Sequence, residues 1–213
     1  MIIDNGKQPD EPYNISLWLW LPSDTPYGNF QLKYMKIVQR LDEANRKIAE
    51  SCYFWNCCIG ESDLLAGAFE RHIFSNESTI YMLRRAADEL VSLIWCLSKF
   101  EETGSYPSKI KIDCLGAVIA QPECERHEAL SQHIEIMNIL NDIANAFKHS
   151  FINSDHTLIG AGEPRIHALG LAYNKLSSEP EFYDVPLSTL VEKYNNFYRS
   201  CVDWLRSYSQ NNR

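Results

Sequence analysis

The segment 140–151 combines polar side chains that could bind a substrate and transfer a proton. Asn145, Lys148 and His149 lie within little more than one helical turn, where an amphipathic helical pattern gives way to a polar turn. Histidine has an unperturbed pKa near neutral pH and can act as a general acid or base. A lysine ammonium can hold a phosphate or another anion, and an asparagine amide can orient a substrate oxygen. These three residues are therefore our candidate catalytic residues.

The same residues also have a purely structural explanation. Lysine and histidine in the last turn of a helix interact favourably with the helix dipole and can hydrogen-bond the terminal carbonyl groups. The helix before them is predicted to bury one face and to carry a polar stripe on the other. Because asparagine is a poor helix former, its repetition in the stripe indicates a solvent-exposed face, or else a cleft or symmetric interface. The buried face should contain His133, Met137, Leu140, Ala144 and Phe147, and the polar stripe Ser131, Glu135, Asn138, Asn141, Asp142, Asn145 and His149.

A helix that ends in Asp-x-x-Asn-x-x-Lys-His resembles the final motif of the HEPN superfamily. Its members are all-helical, often dimeric proteins, and many are metal-independent endoribonucleases of toxin–antitoxin and antiviral systems. Their motif is an arginine, a polar residue, several further residues and a histidine, and the arginines and histidines of two subunits meet at the RNA phosphodiester. The resemblance covers mainly residues 79–102 and 126–151, and it matches Asn145 to the polar residue and His149 to the histidine.

The chain departs from this motif at the arginine position, which is occupied by Ala144. An arginine there would give the charge that develops on phosphorus a bidentate partner. Its absence predicts that Lys148 substitutes, or that the protein is a degenerate relative that binds RNA or a nucleotide without cutting it. The resemblance implies a homodimer that works without a metal or cofactor.

A second set of residues follows the same loose pattern. Arg126 is followed by the polar His127 and, seven residues after the arginine, by His133. Arg126 and His133 should share a helix face, but that face continues into Met137 and Leu140. A core histidine with an arginine at the mouth of the helix is therefore the favoured explanation.

Two other functions remain open. The first alternative is a non-enzymatic module for helical interaction or dimerisation, which binds a partner protein. The second is a bundle that binds a small molecule between aromatic side chains such as Trp55, Trp95 and Tyr198, although such stripes are usually core. On α-helical spacing, Arg84, Arg85, Asp88 and Glu89 form a charged cluster that is either solvated or lines a polar groove.

Composition limits these possibilities. The chain has 213 residues, a net charge of −8 and a pI of about 5.3. That charge argues against a broad basic surface for nucleic acid, but it leaves room for a small local basic site. The sequence contains neither a His-Glu-x-x-His zinc helix nor a Gly-x-x-x-x-Gly-Lys-Ser/Thr phosphate loop.

The cysteines and the hydropathy pattern predict a cytoplasmic location. The seven cysteines have irregular spacing and no Cys-x-x-Cys pair, which favours reduced, buried thiols over a disulfide framework or a zinc ribbon. No run approaches the ~18 apolar residues of a membrane span, and no basic start precedes an apolar run as in a secretion signal.

The pattern of the whole chain predicts an all-α, antiparallel bundle of four to five long helices with a small β-hairpin in the C-terminal third. We expect residues 1–28 to form an extended N-terminal arm and residues 29–213 a single helical-bundle domain. The Trp-rich run 15–21 is apolar on both faces, and it should pack on its own chain or be exchanged between subunits. Helices are predicted at 30–55, 62–74, 79–102, 123–149 and 188–208, a hairpin between 157–159 and 165–169, and a loop at 174–186.

Overall fold

A computed structural model describes residues 1–6, 19–60, 67–152, 159, 162–171, 174–175 and 177–212. It confirms the predicted class, since most of the described chain is helical and one two-stranded antiparallel sheet lies in the C-terminal third. A 3₁₀ turn at Glu123–Glu125 precedes α4. The elements are α1 (Phe30–Ile59), α2 (Ala68–Thr103), α3 (Leu115–Ile119), α4 (Glu128–Ser131), α5 (Ile134–His149), β1 (Arg165–Gly170), β2 (Glu181–Pro186) and α6 (Leu187–Asn211).

The two longest helices, α1 and α2, pack against each other and form the centre of the core. Ile37, Leu41 and Ile48 of α1 are fully buried, at the three- and four-residue steps that place side chains on one helix face. From α6, the hydroxyl of the fully buried Tyr194 donates to the carbonyl oxygen of Leu83, 3.2 Å away. In the described part of the chain, no helix has both the length and the apolar character needed to cross a bilayer.

The predicted break between two helices at residues 75–78 is wrong, because α2 runs through it without interruption. Asn76 accepts from the hydroxyl of Ser51 (2.6 Å) and donates to the carbonyl oxygen of Arg165 (2.9 Å). The ring of His72 contacts Ser51 and Asn76, with its Nδ1 3.0 Å from the carbonyl oxygen of Ser51 and its Nε2 3.2 Å from Asn76 Nδ2. These polar side chains of α2 are therefore buried and hydrogen-bonded to α1 and β1, so they do not end the helix. The start predicted near residue 62 lies outside the described residues.

The helix predicted over 123–149 is divided into the 3₁₀ turn, α4 and α5. The chain turns at Gln132 and His133, and the ring of His133 lies 2.8 Å from the hydroxyl of Ser200 in α6. His133 is therefore only partly buried at the start of α5, and its predicted place on the buried face is wrong. Met137, Leu140 and Ala144 are buried as predicted.

The predicted strand at 165–169 is confirmed as β1, but its predicted partner is wrong. β1 pairs with β2, with Arg165 opposite Pro186 and Gly170 opposite Glu181. The loop prediction for 174–186 therefore fails at its C-terminal half. In β2, Tyr183 and Val185 pack against the core while Phe182 and Asp184 are exposed, which is the alternation of a half-buried strand. Ile159 is not in a strand, and 157–158 lie outside the described residues.

The described parts of the N-terminal arm pack on their own chain. The side chain of Asn45 accepts from the amide of Ile3 (2.6 Å) and donates to the carbonyl oxygen of the same residue (2.9 Å). Ile3, Leu19 and Leu21 are all buried in the main core, whereas Trp20 is exposed. Residues 15–18 of the predicted apolar run lie outside the described residues.

Candidate functional site

The C-terminal end of α5 and the adjoining edge of the hairpin enclose a groove of about 650 Å³, which we call the His149 groove. Of the three candidate residues, Asn145 and His149 line it, and both side chains are exposed. Lys148 is exposed but is not among the residues that line the groove. The described residues that line it are Asp142, Asn145, Ala146, His149, Ser150, Gly170, Leu171, Asn174, Glu179, Glu181 and Tyr183.

Asn174 holds the chain as it leaves α5. Its Nδ2 donates to the carbonyl oxygen of His149 (2.7 Å), and its Oδ1 accepts from the amide of Phe151 (2.8 Å). The backbone of Asn174 has φ +52, a left-handed conformation that asparagine adopts more readily than most residues. This contact ties the last turn of α5 to the segment between the two strands, and so fixes the backbone that carries His149.

Gly170 allows the hairpin to approach α5 closely. A Cβ atom at this position would lie 3.2 Å from the ring of Tyr183 and 3.7 Å from the Cβ of Ala146. The floor of the groove is therefore formed where the end of β1 meets the last two turns of α5.

An arginine reaches the polar stripe from α2. Nη1 of Arg84 donates to Oδ1 of Asn145 at 2.9 Å and lies 3.4 Å from the carbonyl oxygen of Asn141. Its Nε lies 3.7 Å from a carboxylate oxygen of Asp88. The guanidinium of Arg84 therefore lies beside Asn145. Asn145 directly follows Ala144, the position at which the motif would have an arginine.

Position 144 could not itself present a long cationic side chain to the groove. Ala144 is only 2% exposed and belongs to the hydrophobic core. An arginine there would be forced into apolar surroundings, at the large cost of burying an unpaired charge. Arg84 provides the positive charge from a neighbouring helix instead.

Three carboxylates also line the His149 groove, from Asp142, Glu179 and Glu181. Burial raises the pKa of Asp142, and the charge of Glu181 raises it further, while a hydrogen bond from Asn141 and the charge of Arg84 oppose the increase. The groove thus has oxygen acceptors on its walls and, behind Asn145, a guanidinium that is not itself a lining residue. Such an arrangement disfavours a polyanion that lies along the whole groove, but it suits one phosphate next to groups that donate hydrogen bonds.

The charged cluster of α2 divides between two environments. Arg85 is exposed and pairs with Glu89 (3.1 Å), which also accepts from Arg40 at 2.9 Å. Arg84 and Asp88 are mostly buried, with side chains 22% and 16% exposed. Sequence reasoning left open that this cluster lines a polar groove and that Arg84 or Arg85 faces His149. It did not predict the contact of Arg84 with Asn145.

The second motif candidate is separated by the turn that divides α4 from α5. Nη2 of Arg126 donates to the carbonyl oxygen of Ile119 (3.1 Å), and Nδ1 of His127 accepts from the amide of Ala129 (3.2 Å). His133 faces Ser200 in α6. Arg126 and His133 therefore do not share one continuous helix face.

The part of the chain that the structure describes contains no group of three or more His, Cys, Asp or Glu side chains placed to hold a metal ion. All seven cysteines are free thiols. The chemistry available in the His149 groove is therefore that of an imidazole, a nearby guanidinium, amides and carboxylates.

None of the protein-family models, curated proteins or solved structures compared with the chain matches it. The resemblance to the HEPN superfamily stays a prediction.

Proposed function

We propose that this protein is a HEPN-like, metal-independent ribonuclease that contacts one RNA phosphodiester in the His149 groove. The observation that carries the proposal is the 2.9 Å hydrogen bond from Arg84 Nη1 to Asn145 Oδ1. It brings a guanidinium close to the motif helix, one turn before His149. Arg84 thus supplies, from another helix, the guanidinium that the motif arginine would provide at the position of Ala144.

The proposed reaction needs only the RNA and the groups of the groove. The 2′-oxygen of a ribose bonds to phosphorus while the bond from phosphorus to the 5′-oxygen breaks. One proton leaves the 2′-hydroxyl and another reaches the 5′-oxygen, and His149 transfers a proton in this exchange. Arg84 donates to the phosphoryl oxygens as their charge grows, and Asn145 positions Arg84.

The carboxylates of the groove have a role in this proposal too. Unpaired bases and ribose 2′-hydroxyls present hydrogen-bond donors, which distinguish single-stranded RNA from a bare polyanion. Asp142 and Glu181 can accept from such donors. The proposed substrate is therefore single-stranded RNA bound over a short length, with its scissile phosphate at the Arg84 and His149 side.

A specific observation favours the alternative function, a dimerisation module. Phe151 follows His149 by two residues, and its side chain is 80% exposed. A large exposed aromatic residue is a common anchor in protein interfaces. A homodimer formed there would set two His149 grooves near each other, as the HEPN resemblance implies. We propose this dimer as part of the ribonuclease, and on its own as the second candidate function.

The test is cleavage of a single-stranded RNA in excess chelator by the wild type and by His149→Ala, with the mass in solution measured for both. The ribonuclease proposal predicts cleavage by the wild type and a loss of about 10²–10⁴-fold in His149→Ala, the usual contribution of general acid–base catalysis. Equal rates, or no cleavage by either protein, would refute it. A dimer that Phe151→Ser converts to monomer, without cleavage in any form, would leave the dimerisation module as the function.

A further inference from the structure

A second groove lies at the other end of the α4–α5 region, and its charge has the opposite sign. It has a volume of about 770 Å³, and we call it the basic groove. Its lining includes Lys109 and Lys111 of the α2–α3 connection, Arg126 and His127, which precede α4, and Trp95 of α2. α5 has 16 residues, which span about 24 Å at 1.5 Å per residue. The basic groove is therefore distinct from the His149 groove.

The cations of this groove exceed its carboxylates. Lys99 is paired with Glu102 at 2.5 Å, and Glu125 is the other carboxylate of the lining. Within the described residues, no ion pair joins Lys109 or Lys111 to a carboxylate, and both side chains are exposed. In a chain with a net charge of −8, this local excess of positive charge attracts an anion.

Arg126 provides a donor that the described residues do not use. Its Nη2 is anchored on the carbonyl oxygen of Ile119, which restricts the guanidinium to one position. Its Nε is buried and has no hydrogen-bond partner among the described residues. Because that atom is closed off from the groove, a ligand would accept instead from the N–H groups at the end of the guanidinium.

His127 adds a neutral donor. Its Nδ1 accepts from the amide of Ala129, so the proton of the neutral ring is on Nε2. Burial lowers the pKa of His127, and the charge of Lys99 lowers it further, although Glu128 and Glu102 oppose this. The ring packs edge-on against Trp204, with centroids 4.8 Å apart. The imidazole is thus held in one orientation with an N–H available.

We propose that the basic groove binds a small phosphate-bearing ligand, with the phosphate held by Arg126, His127, Lys109 and Lys111. Fixed guanidinium and imidazole donors with two mobile ammonium groups match the several acceptor oxygens of a phosphate. Trp95 offers an aromatic wall on which a nucleobase could stack. The phosphate is the shared chemistry, and its source is either free phosphate or a nucleoside monophosphate. This binding does not depend on the proposed ribonuclease activity.

The test is calorimetric titration of the full chain with inorganic phosphate, AMP and adenosine. We expect phosphate and AMP to bind and AMP to bind more tightly, because only AMP uses the Trp95 wall. Equal affinities for phosphate and AMP would identify a free anion as the ligand and still support the site. Adenosine that binds as tightly as AMP would overturn the proposal, because the phosphate would then contribute nothing. The proposal would also be overturned if neither phosphate nor AMP produced binding heat at ligand concentrations about 100 times a Kd in the micromolar range.

Two variants and one control locate the ligand. Lys111→Glu changes an exposed side chain of the groove, and Arg126→Gln removes the guanidinium. The control Arg46→Glu makes the same charge change on α1, where Arg46 is 70% exposed and paired with Glu43. We expect about tenfold weaker AMP binding in both groove variants, as for one lost charge-assisted contact, and no change in the control. Equal weakening in Lys111→Glu and Arg46→Glu would show only a general charge effect and would overturn the proposal.

Discussion

The His149 groove and the basic groove lie near opposite ends of the α4–α5 region and differ in how their charges are arranged. Carboxylates of Asp142, Glu179 and Glu181 line the first, and the guanidinium of Arg84 contacts its lining residue Asn145 from α2. Cations line the second, and its arginine is anchored by a backbone carbonyl. An acidic chain can therefore hold a local anion site, which its net charge alone would not reveal.

The difference also separates two kinds of chemistry. The His149 groove has an exposed imidazole beside hydrogen-bond acceptors, which suits proton transfer on a neutral or singly charged group. The basic groove holds His127 by its Nδ1 and by the edge-on contact with Trp204, which suits binding rather than turnover. The comparison predicts that variants in one groove leave the other unaffected.

After His149→Ala, the largest expected effect comes from Arg84→Ala. Removing a donor that stabilises developing charge typically costs about 10²–10³-fold in rate, so RNA cleavage should fall by that factor while AMP binding in the basic groove stays unchanged. Arg85→Ala is the matched control, because Arg85 is adjacent in sequence but exposed and paired with Glu89. A similar loss of cleavage in both variants would argue that Arg84 acts only through general charge.

The next effect comes from Asn76→Ala, which removes the contact between α2 and the carbonyl oxygen of Arg165 at the start of β1. The hydroxyl of Ser51 and that carbonyl oxygen would both lose a partner, and the free energy of unfolding should fall by about 1–3 kcal/mol. Because the hairpin forms a wall of the His149 groove only, cleavage should decline and AMP binding should not. Urea denaturation and both ligand assays check this. Unchanged stability would mean that the network is not what allows α2 to continue through residues 75–78.

A smaller effect is the pH dependence of stability due to His72. Burial lowers its pKa, against the opposing hydrogen bonds with the backbone of Ser51 and Arg165. Above a pH of about 6.5 neither the folded nor the unfolded chain protonates this residue. As the pH falls below that value the unfolded chain binds a proton that the folded chain does not, so the free energy of unfolding decreases. For one proton the slope cannot exceed about 1.4 kcal/mol per pH unit.

Substitution tests this assignment. His72→Gln should reduce the difference between the unfolding free energies measured at about pH 7.5 and about pH 5.5. Ser51→Ala, the control, weakens the network but keeps the imidazole and should retain the difference. If His72→Gln and the wild type change equally between the two pH values, His72 is not the group responsible.

The smallest effect is expected from Asp142→Asn, which removes a negative charge from the His149 groove but keeps an oxygen that can accept from RNA. RNA binding should tighten by about threefold at low salt, and the gain should shrink as ionic strength rises. The control is Asp203→Asn on α6. It removes an exposed carboxylate that is paired with Arg206 and lines neither groove. RNA binding that weakens in Asp142→Asn would mean that this carboxylate accepts from the substrate more strongly than it repels the phosphate.

The class of fold and the starts of the first and last helices follow from apolar spacing alone, whereas both helices extend beyond their predicted ends, to Ile59 and Asn211. The continuity of α2 does not, because Ser75 and Asn76 are typical of helix ends until tertiary partners satisfy them. The pairing of β1 with β2 could not be predicted either, since the strand predicted at 157–159 is nearer in sequence and β2 joins β1 through a longer connection.

Only the part of the candidate site that lies on one helix could be predicted from the sequence. Asn145 and His149 share one helix face, so the pattern brings them together without further information. Arg84 is 61 residues from Asn145 in sequence, and only the packing of α2 against α5 joins them. Lys148 was included for its charge, but the rotation of the helix leaves it outside the groove lining.

The most direct test of the central claim compares His149→Ala with its neighbour Lys148→Ala in single-turnover cleavage of one single-stranded RNA in chelator. Because only His149 lines the groove, we predict a rate lower by about 10²–10⁴-fold in His149→Ala and by less than about tenfold in Lys148→Ala. Equal rates in the wild type and His149→Ala, or an effect confined to Lys148→Ala, would contradict the claim that this imidazole transfers the proton.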